Sequence, residues 1–541
     1  MLLVTADTEQ YGTTVHLGPS HLGYVAGMKA RVVEQVAGAV VPFIFSLRST
    51  WALRTLAKIF EWLSLTEVSK ERARKMQWLF RAGHPFLEWM KRLSRELNPR
   101  SRSIWIRNVY VLQYFRSKAV RMQFAKEHGF EPPHFIAISP TGRCNYRCIG
   151  CWAGEYTQDQ DMPEETFERL VGEARDRFGN HWITILGGEP LLRTDLFPIY
   201  EKYRDIFFLT FTNGSLVTEE MADHLTALGN LGLMFSVDGW EGQTDAHRRN
   251  GAWRLAIEGM ARLRRRGLPF GYAATATRDN VETLWSDAFV DYFIDHGALY
   301  GWYFHYCPIG RNPNIEMMLT AEQHTELRHR IYHLRGTRPI FLADFWNDGP
   351  ETGGCLAGGK CYLHVNAKGD VEPCVFVHLA VDNIRDKSLT EALKSPFFRG
   401  IRAQIPYDGN EIRPCMIFDR PEVLRDHYRR YKPYTTHAGA DAYLTDPKIT
   451  AFIDRLSEQY RQLADRDWAS GNWMRIFPDP PGVTKIIRAE IAKEKMVRIW
   501  NGSGTEMKPE TPITEKVAYI RNRPQREGKT KNETRNPFSR S

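Results

Sequence analysis

Between His134 and Tyr306 six short apolar runs, HFIAISP, WITILGG, IFFLTFTNG, LGLMFSVDG, PFGYAATA and LYGWYFHY, alternate with amphipathic stretches such as PEETFERLVGEARDRF and WRLAIEGMARLRRRG. Each run has the length of a strand and is too short for a stable helix, and each intervening segment is too long for a hairpin turn. Parallel strands need crossovers of that length, so the pattern dictates an α/β fold with a parallel sheet, curved if it forms a partial barrel. In such sheets chemistry sits at the carboxyl ends of the strands. Here those ends read PTGRC, GGEP, TNG, SVDG, TRDN and YCPIG, where glycine and polar residues concentrate.

A 541-residue chain exceeds what one core supports. Residues 26–130 read as helices without strands; in TWALRTLAKIFEWL, Trp51, Leu53, Leu56, Ile59, Phe60 and Leu63 fall largely to one side. That face can lie in a lipid interface or pack on the next domain. The chain therefore divides into a basic helical N-terminal domain (1–131), a barrel (132–338), an irregular cysteine-bearing domain (339–430) and a helical extension with a basic tail (431–541) expected to be disordered. Net charge is +9, yet residues 1–130 hold 20 Lys+Arg against 9 Asp+Glu and residues 521–541 hold 7 against 2, so the centre is acidic. Basic ends suit an anionic partner, a membrane surface or a nucleic acid. The start lacks the pattern of a secretory signal, and Pro42 interrupts the apolar run Ala37–Leu47, which is about half of what crossing a bilayer takes. The expected location is cytoplasmic, with peripheral contact at the inner face of the membrane as the alternative.

Eight cysteines are few for so long a chain, and seven fall into two groups. The first, Cys144, Cys148 and Cys151, has the spacing C-x3-C-x2-C on one loop after the first strand. Structural zinc needs a fourth ligand, and none lies in the loop. Three thiolates on a 4Fe-4S cluster leave one iron open to a small molecule, which gives a reason for three. The eighth, Cys307, reads as a core residue.

The triplet at the end of the first strand resembles the radical S-adenosylmethionine superfamily. That resemblance implies a partial (β/α)6 TIM-like barrel, a 4Fe-4S cluster on Cys144, Cys148 and Cys151, and S-adenosylmethionine chelated to its open iron. Reductive cleavage of the cofactor then yields a 5'-deoxyadenosyl radical that abstracts hydrogen from substrate, with electrons from a flavodoxin or ferredoxin type donor. The segment Gly187, Gly188, Glu189, Pro190 matches the part of the family that meets the cofactor's amino group, with Glu189 the matching acid. Ser236 and Asp238 match residues that hold the ribose or carboxylate, and Arg248 matches the arginine that pairs with the methionine carboxylate, which a bidentate guanidinium suits. Thr212, Asn213 and Asn280 are expected to support these groups. Many relatives carry an aromatic residue before the third cysteine, near the adenine; here that position is Gly150 and the aromatic is Trp152.

The second group, Cys355, Cys361, Cys374 and Cys415, with the hairpin-like NAKGDVEPC, resembles the auxiliary-cluster region called SPASM or, when shorter, twitch. A full SPASM domain carries more cysteines and a pair of clusters, so a single auxiliary cluster is expected, on Cys355, Cys374 and Cys415 with Cys361 as fourth ligand or, as the alternative, a bystander. A four-cysteine zinc site fits the same spacing. For the substrate, His305, Tyr306, Asp344, Asn347 and Asp348 are candidate acid, base or binding groups. The order WYFHYCPIGRNP, IFLADFWNDG, then the second cysteine group is similar to bacterial enzymes coupling lipid hydrocarbon tails. The expected substrate is thus an unactivated C–H of a membrane lipid chain, with a SPASM-type peptide or protein maturase as the alternative. A non-enzymatic iron-sulfur or nucleic-acid-binding protein would leave the ordered strand-end motifs unexplained, so no specific nucleic acid is expected.

Overall fold

The structure is a computed structural model that describes residues 50–63, 67–156 and 160–471; the run Ala37–Leu47 and the basic tail from 521 onward lie outside the described residues. All six expected strands form, in order: β1 (Ile136–Ile138), β2 (Trp182–Ile185), β3 (Phe207–Thr212), β4 (Leu231–Ser236), β5 (Phe270–Ala276) and β6 (Tyr300–His305). The sheet then extends at both edges. Beyond β6 lies β7 (Phe341–Asp344), and beside β1 lies the hairpin of β8 (His364–Val365) and β9 (Val371–Glu372), giving the order β7-β6-β5-β4-β3-β2-β1-β8-β9. Neighbours from β7 to β8 are parallel and β8–β9 is antiparallel. The cysteine-bearing domain is therefore hydrogen-bonded into the sheet, His364 and Val365 lying opposite Ala137 and Ile138.

Helices such as Glu164–Phe178 and Ala252–Arg266 cover the outer face, where Phe208 and Phe235 join the main core. The inner face belongs to the alternate residues, among them Phe207, Leu209, Met234, Ala273 and Tyr300. These pack against the N-terminal helices: α1 (Thr50–Leu63), α2 (Glu67–Arg81), α3 (Pro85–Glu96) and α4 (Pro99–Trp105). Trp89 of α3 stands in this layer with its indole Nε1 donating to the Leu299 carbonyl at 2.6 Å, and its ring meets Trp105 and Phe341. Arg92, one turn on, donates to the carbonyls of Ile294, Ala298 and Pro339 and is bound by Glu96. The helical domain thus seats under the amino end of the barrel, its apolar residues filling the lumen from below.

That packing takes up the apolar side of α1. Ala52, Leu53, Leu56 and Ala57 are buried in the same cluster as Trp89, whereas Trp51 and Trp62 stand out to solvent. The expected single apolar face is split, and its aliphatic half lies in protein. At the other end of the chain, the helix Pro447–Ser470 runs along Ala321–Thr337, with Tyr460 stacked on His324 at 3.8 Å and Arg328 paired with Asp467. Among the described residues no helix is long and apolar enough to cross a membrane.

Trp89→Ala removes a large buried ring and orphans the Leu299 carbonyl, so it is expected to cost about 3–5 kcal/mol. Urea unfolding with unchanged m-value would register it; a loss below about 1 kcal/mol would mean that the helices do not hold the barrel floor.

Candidate active site

The cysteine loop leaves β1 without regular structure and is held by what packs on it. The carbonyl of Arg143 accepts from Glu189 N–H at 2.8 Å, and that of Thr141 from Gly188 N–H at 3.0 Å. A Cβ at Gly188 would lie 2.0 Å from the Arg143 carbonyl oxygen, so only glycine lets the two loops meet. From the far side, Arg311 N–H donates to the Cys151 carbonyl at 3.0 Å and its guanidinium to Gly154 O at 3.1 Å. His247 closes the loop's outer turn through its Nε2, 2.7 Å from Ile149 O.

Cys144, Cys148 and Cys151 line one cavity of about 170 Å³ at the carboxyl ends of the strands. Gly187, Gly188, Thr212, Asn213, Ser236, Arg248 and Trp152 also line it, as expected for residues that could hold a cofactor. Burial pushes the Cys144 thiol up to about 12 and Cys151 up to about 11, and raises Cys148. Such thiols give up their protons to a metal rather than to water. Three thiols around one cavity are a donor set that fits iron-sulfur chemistry.

Arg248 reaches the cavity with its Nε 2.7 Å from Asp238 Oδ2. Burial alone would raise the Asp238 carboxyl, but Arg248 and His247 hold it well below the usual carboxylate range. Oδ2 also meets His247 Nδ1 at 2.7 Å, and Oδ1 accepts from Thr275 N–H at 2.9 Å. Asp238 does not line the cavity; it holds the arginine that does. Glu189 and Pro190 do not line the cavity either. The Glu189 carboxylate accepts from Thr212 Oγ1 at 2.8 Å, Asn213 N–H at 2.8 Å and Leu191 N–H at 3.1 Å, so it fastens the end of β3 to the GGEP turn, and burial pushes it up to about 7. Asn280, expected to support these groups, spends its amide on Asp238 O, Thr275 O and Thr277 N–H, tying the ends of β4 and β5.

The space at position 150 is occupied. Gly150 has φ +61°, and a Cβ there would sit 2.5 Å from the ring of Tyr306 at the end of β6. Tyr306 lines the cavity, and Asn314 N–H donates to its hydroxyl at 3.0 Å. Trp152 also lines the cavity, but its ring leans on His364, Phe376, His378 and Tyr156, which docks the cysteine loop on the second cysteine domain. Sequence reasoning missed His247, Arg311 and the placement of Tyr306; the DAHRR segment contained the first, and nothing in the spacing signalled the other two.

Of the other candidates, His305 lines the cavity, kept neutral as burial brings it down to about 3. Asp344, Asn347 and Asp348 lie buried behind it, where Asn347 Nδ2 donates to Asp344 Oδ2 at 2.7 Å and Arg335 pairs with Asp348 at 2.8 Å. Cys307 is buried in the core, and it too borders the cavity. The remaining wall is mostly aromatic and aliphatic, with Phe211, Trp302, Phe304, Phe345, Val375 and Phe376; Tyr146, Thr184, Thr275 and Tyr362 add hydroxyls, and no carboxylate or lysine lines it.

A second, smaller cavity of about 30 Å³ is lined by Cys355, Cys374 and Cys415. Cys361 is not among its walls. It is fully buried in the core, where its carbonyl accepts from the backbone of His134 and Phe135. The smaller cavity thus brings together three of the four cysteines of the second group, and Cys361 lies outside its walls. Tyr362, the next residue, borders both cavities, and its hydroxyl donates to Cys374 Sγ at 2.8 Å.

Residues 138–285 match the Radical SAM superfamily, and residues 355–420 match the SPASM iron-sulfur cluster-binding domain. The AdoMet-dependent heme synthase of Oleidesulfovibrio alaskensis is 27% identical over 328 residues, 54% of this chain and 83% of that protein. The mycofactocin maturase of Mycolicibacterium smegmatis is 26% identical over 315 residues, 54% of this chain and 78% of that protein. Among solved structures, Streptococcus suis SuiB bound to S-adenosylmethionine is 18% identical, with a TM-score of 0.43 over 54% of this chain and 70% of its own. The matched domains carry 4Fe-4S clusters and S-adenosylmethionine as their cofactors.

Cys148→Ala is expected to lose the barrel cluster and Cys374→Ala the auxiliary one, whereas Cys361→Ala should keep both. Iron per chain and the electron paramagnetic resonance signals after anaerobic reconstitution would tell; a Cys361→Ala protein lacking the second signal would restore Cys361 as a ligand.

Proposed function

For this chain, a radical SAM enzyme with a SPASM domain, we propose a substrate that presents an unactivated C–H within a long apolar group, a membrane lipid chain. The bound cluster and S-adenosylmethionine supply a hydrogen-abstracting carbon radical. Everything else is work for the chain's own side chains. Arg248, held from behind by Asp238, offers its Nη end to the methionine carboxylate, and the backbone of Gly187 and Gly188 faces the same cavity. Tyr306 supplies the flat face for the adenine that the glycine at 150 cannot.

The observation that carries the substrate reading is the wall beyond these groups. Phe211, Trp302, Phe304, Phe345 and Phe376 are apolar and offer no charge to bind, and His305 stays neutral. A wall of this kind favours a hydrocarbon, since a charged or strongly polar segment there would lose its hydration without a partner. No acid or base can remove a hydrogen from such a carbon, which gives radical chemistry its use. The similarity to a mycofactocin maturase favours a peptide as the second reading.

Two measurements test this. Anaerobic turnover with vesicles of phospholipid bearing perdeuterated acyl chains should place deuterium in 5'-deoxyadenosine; cleavage without deuterium from lipid, but with it from a labelled peptide, would move the assignment to the second reading. Tyr306→Ala should weaken S-adenosylmethionine binding by about tenfold, the value of one lost stacking partner, while Tyr306→Phe keeps it. Equal affinity in all three proteins would remove Tyr306 from the adenine site.

A further inference from the structure

α1 carries large aromatic rings on the side that does not pack. Trp51 is 71% exposed and Trp62 is 82% exposed, the two largest values among the exposed large hydrophobic residues described. They are eleven positions apart, which on a helix brings them within about 20° of one another around the axis and roughly 16 Å apart along it. Lys58 lies between them on the same side, exposed, and Arg54 flanks it, exposed, with a guanidinium nitrogen donating to Phe80 O at 3.0 Å. Across α1 and α2 there are seven basic residues against three acidic ones.

Exposed tryptophan is costly in water, and two on one stripe call for an environment that is apolar on one side and wet on the other. Indole rings settle at the level of lipid headgroups, and a lysine between them can lay its stem along the apolar layer and keep its ammonium among phosphates. A helix lying flat would bring both rings and Lys58 down together. The inner side of α1 cannot compete for the same surface, because Leu53 and Leu56 are already buried in the cluster beneath the barrel. A protein partner would need a matching apolar groove, whereas the basic surplus of α1 and α2 complements a sheet of anionic headgroups.

We propose that the Trp51–Lys58–Trp62 stripe of α1 is the seat of this protein on an anionic phospholipid surface. The stripe gives the lipid reading above its location, and it is independent of the radical chemistry. The inner side of α1 belongs to the same apolar cluster that Phe211, Trp302 and Phe304 of the cavity wall pack against, so the docked helix and the cavity floor are parts of one layer.

Flotation of the full chain with vesicles of phosphatidylcholine and phosphatidylglycerol tests it. Wild type is expected to float with these and much less with pure phosphatidylcholine. Trp51→Ala and Trp62→Ala should each lower the partition coefficient about tenfold, and the pair more. Lys58→Glu should weaken flotation most at low salt. Brominated lipids should quench wild-type tryptophan fluorescence by a fraction that the double variant lacks. If the double variant floats as wild type does, the stripe is not the contact and the assignment falls, with the basic tail then holding the lipid. If wild type does not float, it falls as well. Both rings are exposed, so the variants should fold and still cleave S-adenosylmethionine under dithionite, a readout that separates loss of docking from loss of the enzyme.

Discussion

Arg248 is a cation largely shielded from water at the heart of the site, and the fully buried carboxylate of Asp238 is what keeps it there. Burying either charge alone would cost several kcal/mol, and their contact at 2.7 Å offsets that cost only because Asp238 has further donors, Thr275 N–H on β5 and His247 on the following helix. His247 then passes the constraint on, since its second nitrogen meets the carbonyl of Ile149 between two of the cysteines. One buried carboxylate therefore fixes the arginine, the end of β5 and the outer turn of the cysteine loop. A loop with no helix or strand of its own becomes rigid in this way, and so three thiols come to face one cavity. Leaving Arg248 without Asp238 would free the loop and the cation together.

The second cysteine domain is bound to the first site as closely as the barrel itself is. β8 pairs with β1, and Trp152 of the cysteine loop packs against His364, Phe376 and His378 of that domain. Between the two thiol-lined cavities stand Phe345 and Tyr362, each bordering both. The Tyr362 ring stacks on Phe135 at 5.2 Å, and its hydroxyl donates to a cysteine of the second group. A hydrogen bond to a ligating sulfur is one of the levers on a cluster's potential. Phe345 and Tyr362 thus belong both to the wall of the larger cavity and to the setting of the second cysteine group.

The strands were legible because period and length both speak in short apolar runs bounded by glycine, and the cavity was legible wherever a motif places backbone or a charged tip at a strand end: the cysteines, Gly187, Gly188, Ser236 and Arg248. Side-chain direction was not legible. Glu189 and Asp238 sit in strand-end motifs and turn back to collect neighbouring N–H and O–H groups, and the sequence does not say which way a buried carboxylate turns. Cys361 lies six positions after Cys355 and looks like a ligand by spacing; a fully buried side chain aimed into the core is invisible to spacing. Tyr306 replaces a ring absent from position 150 from across the barrel, a pairing that only the fold makes. The amphipathic pattern of α1 was read as one face, but a helix wedged under a barrel buries its aliphatic residues and leaves its indoles outside.

The cavity's depth follows from the same wedge. A closed eight-stranded barrel fills its lumen with its own side chains, and an open one must find another filling. Here β4 has Gly232 on the inner face, where a Cβ would strike the ring of Phe207 at 2.5 Å and the hydroxyl of Tyr300 at 2.6 Å. Those two rings lie across the lower lumen, and the N-terminal helices press on them from below. One layer higher, Phe211, Trp302 and Phe304 face the cavity on one side and that packed cluster on the other. A substrate reaching deeper than this layer would have to displace rings held by Trp89, Trp105 and their neighbours. The reach of the radical site into the barrel is therefore set by a helical domain outside the barrel, and substitutions in that domain change the cavity without touching the cysteines.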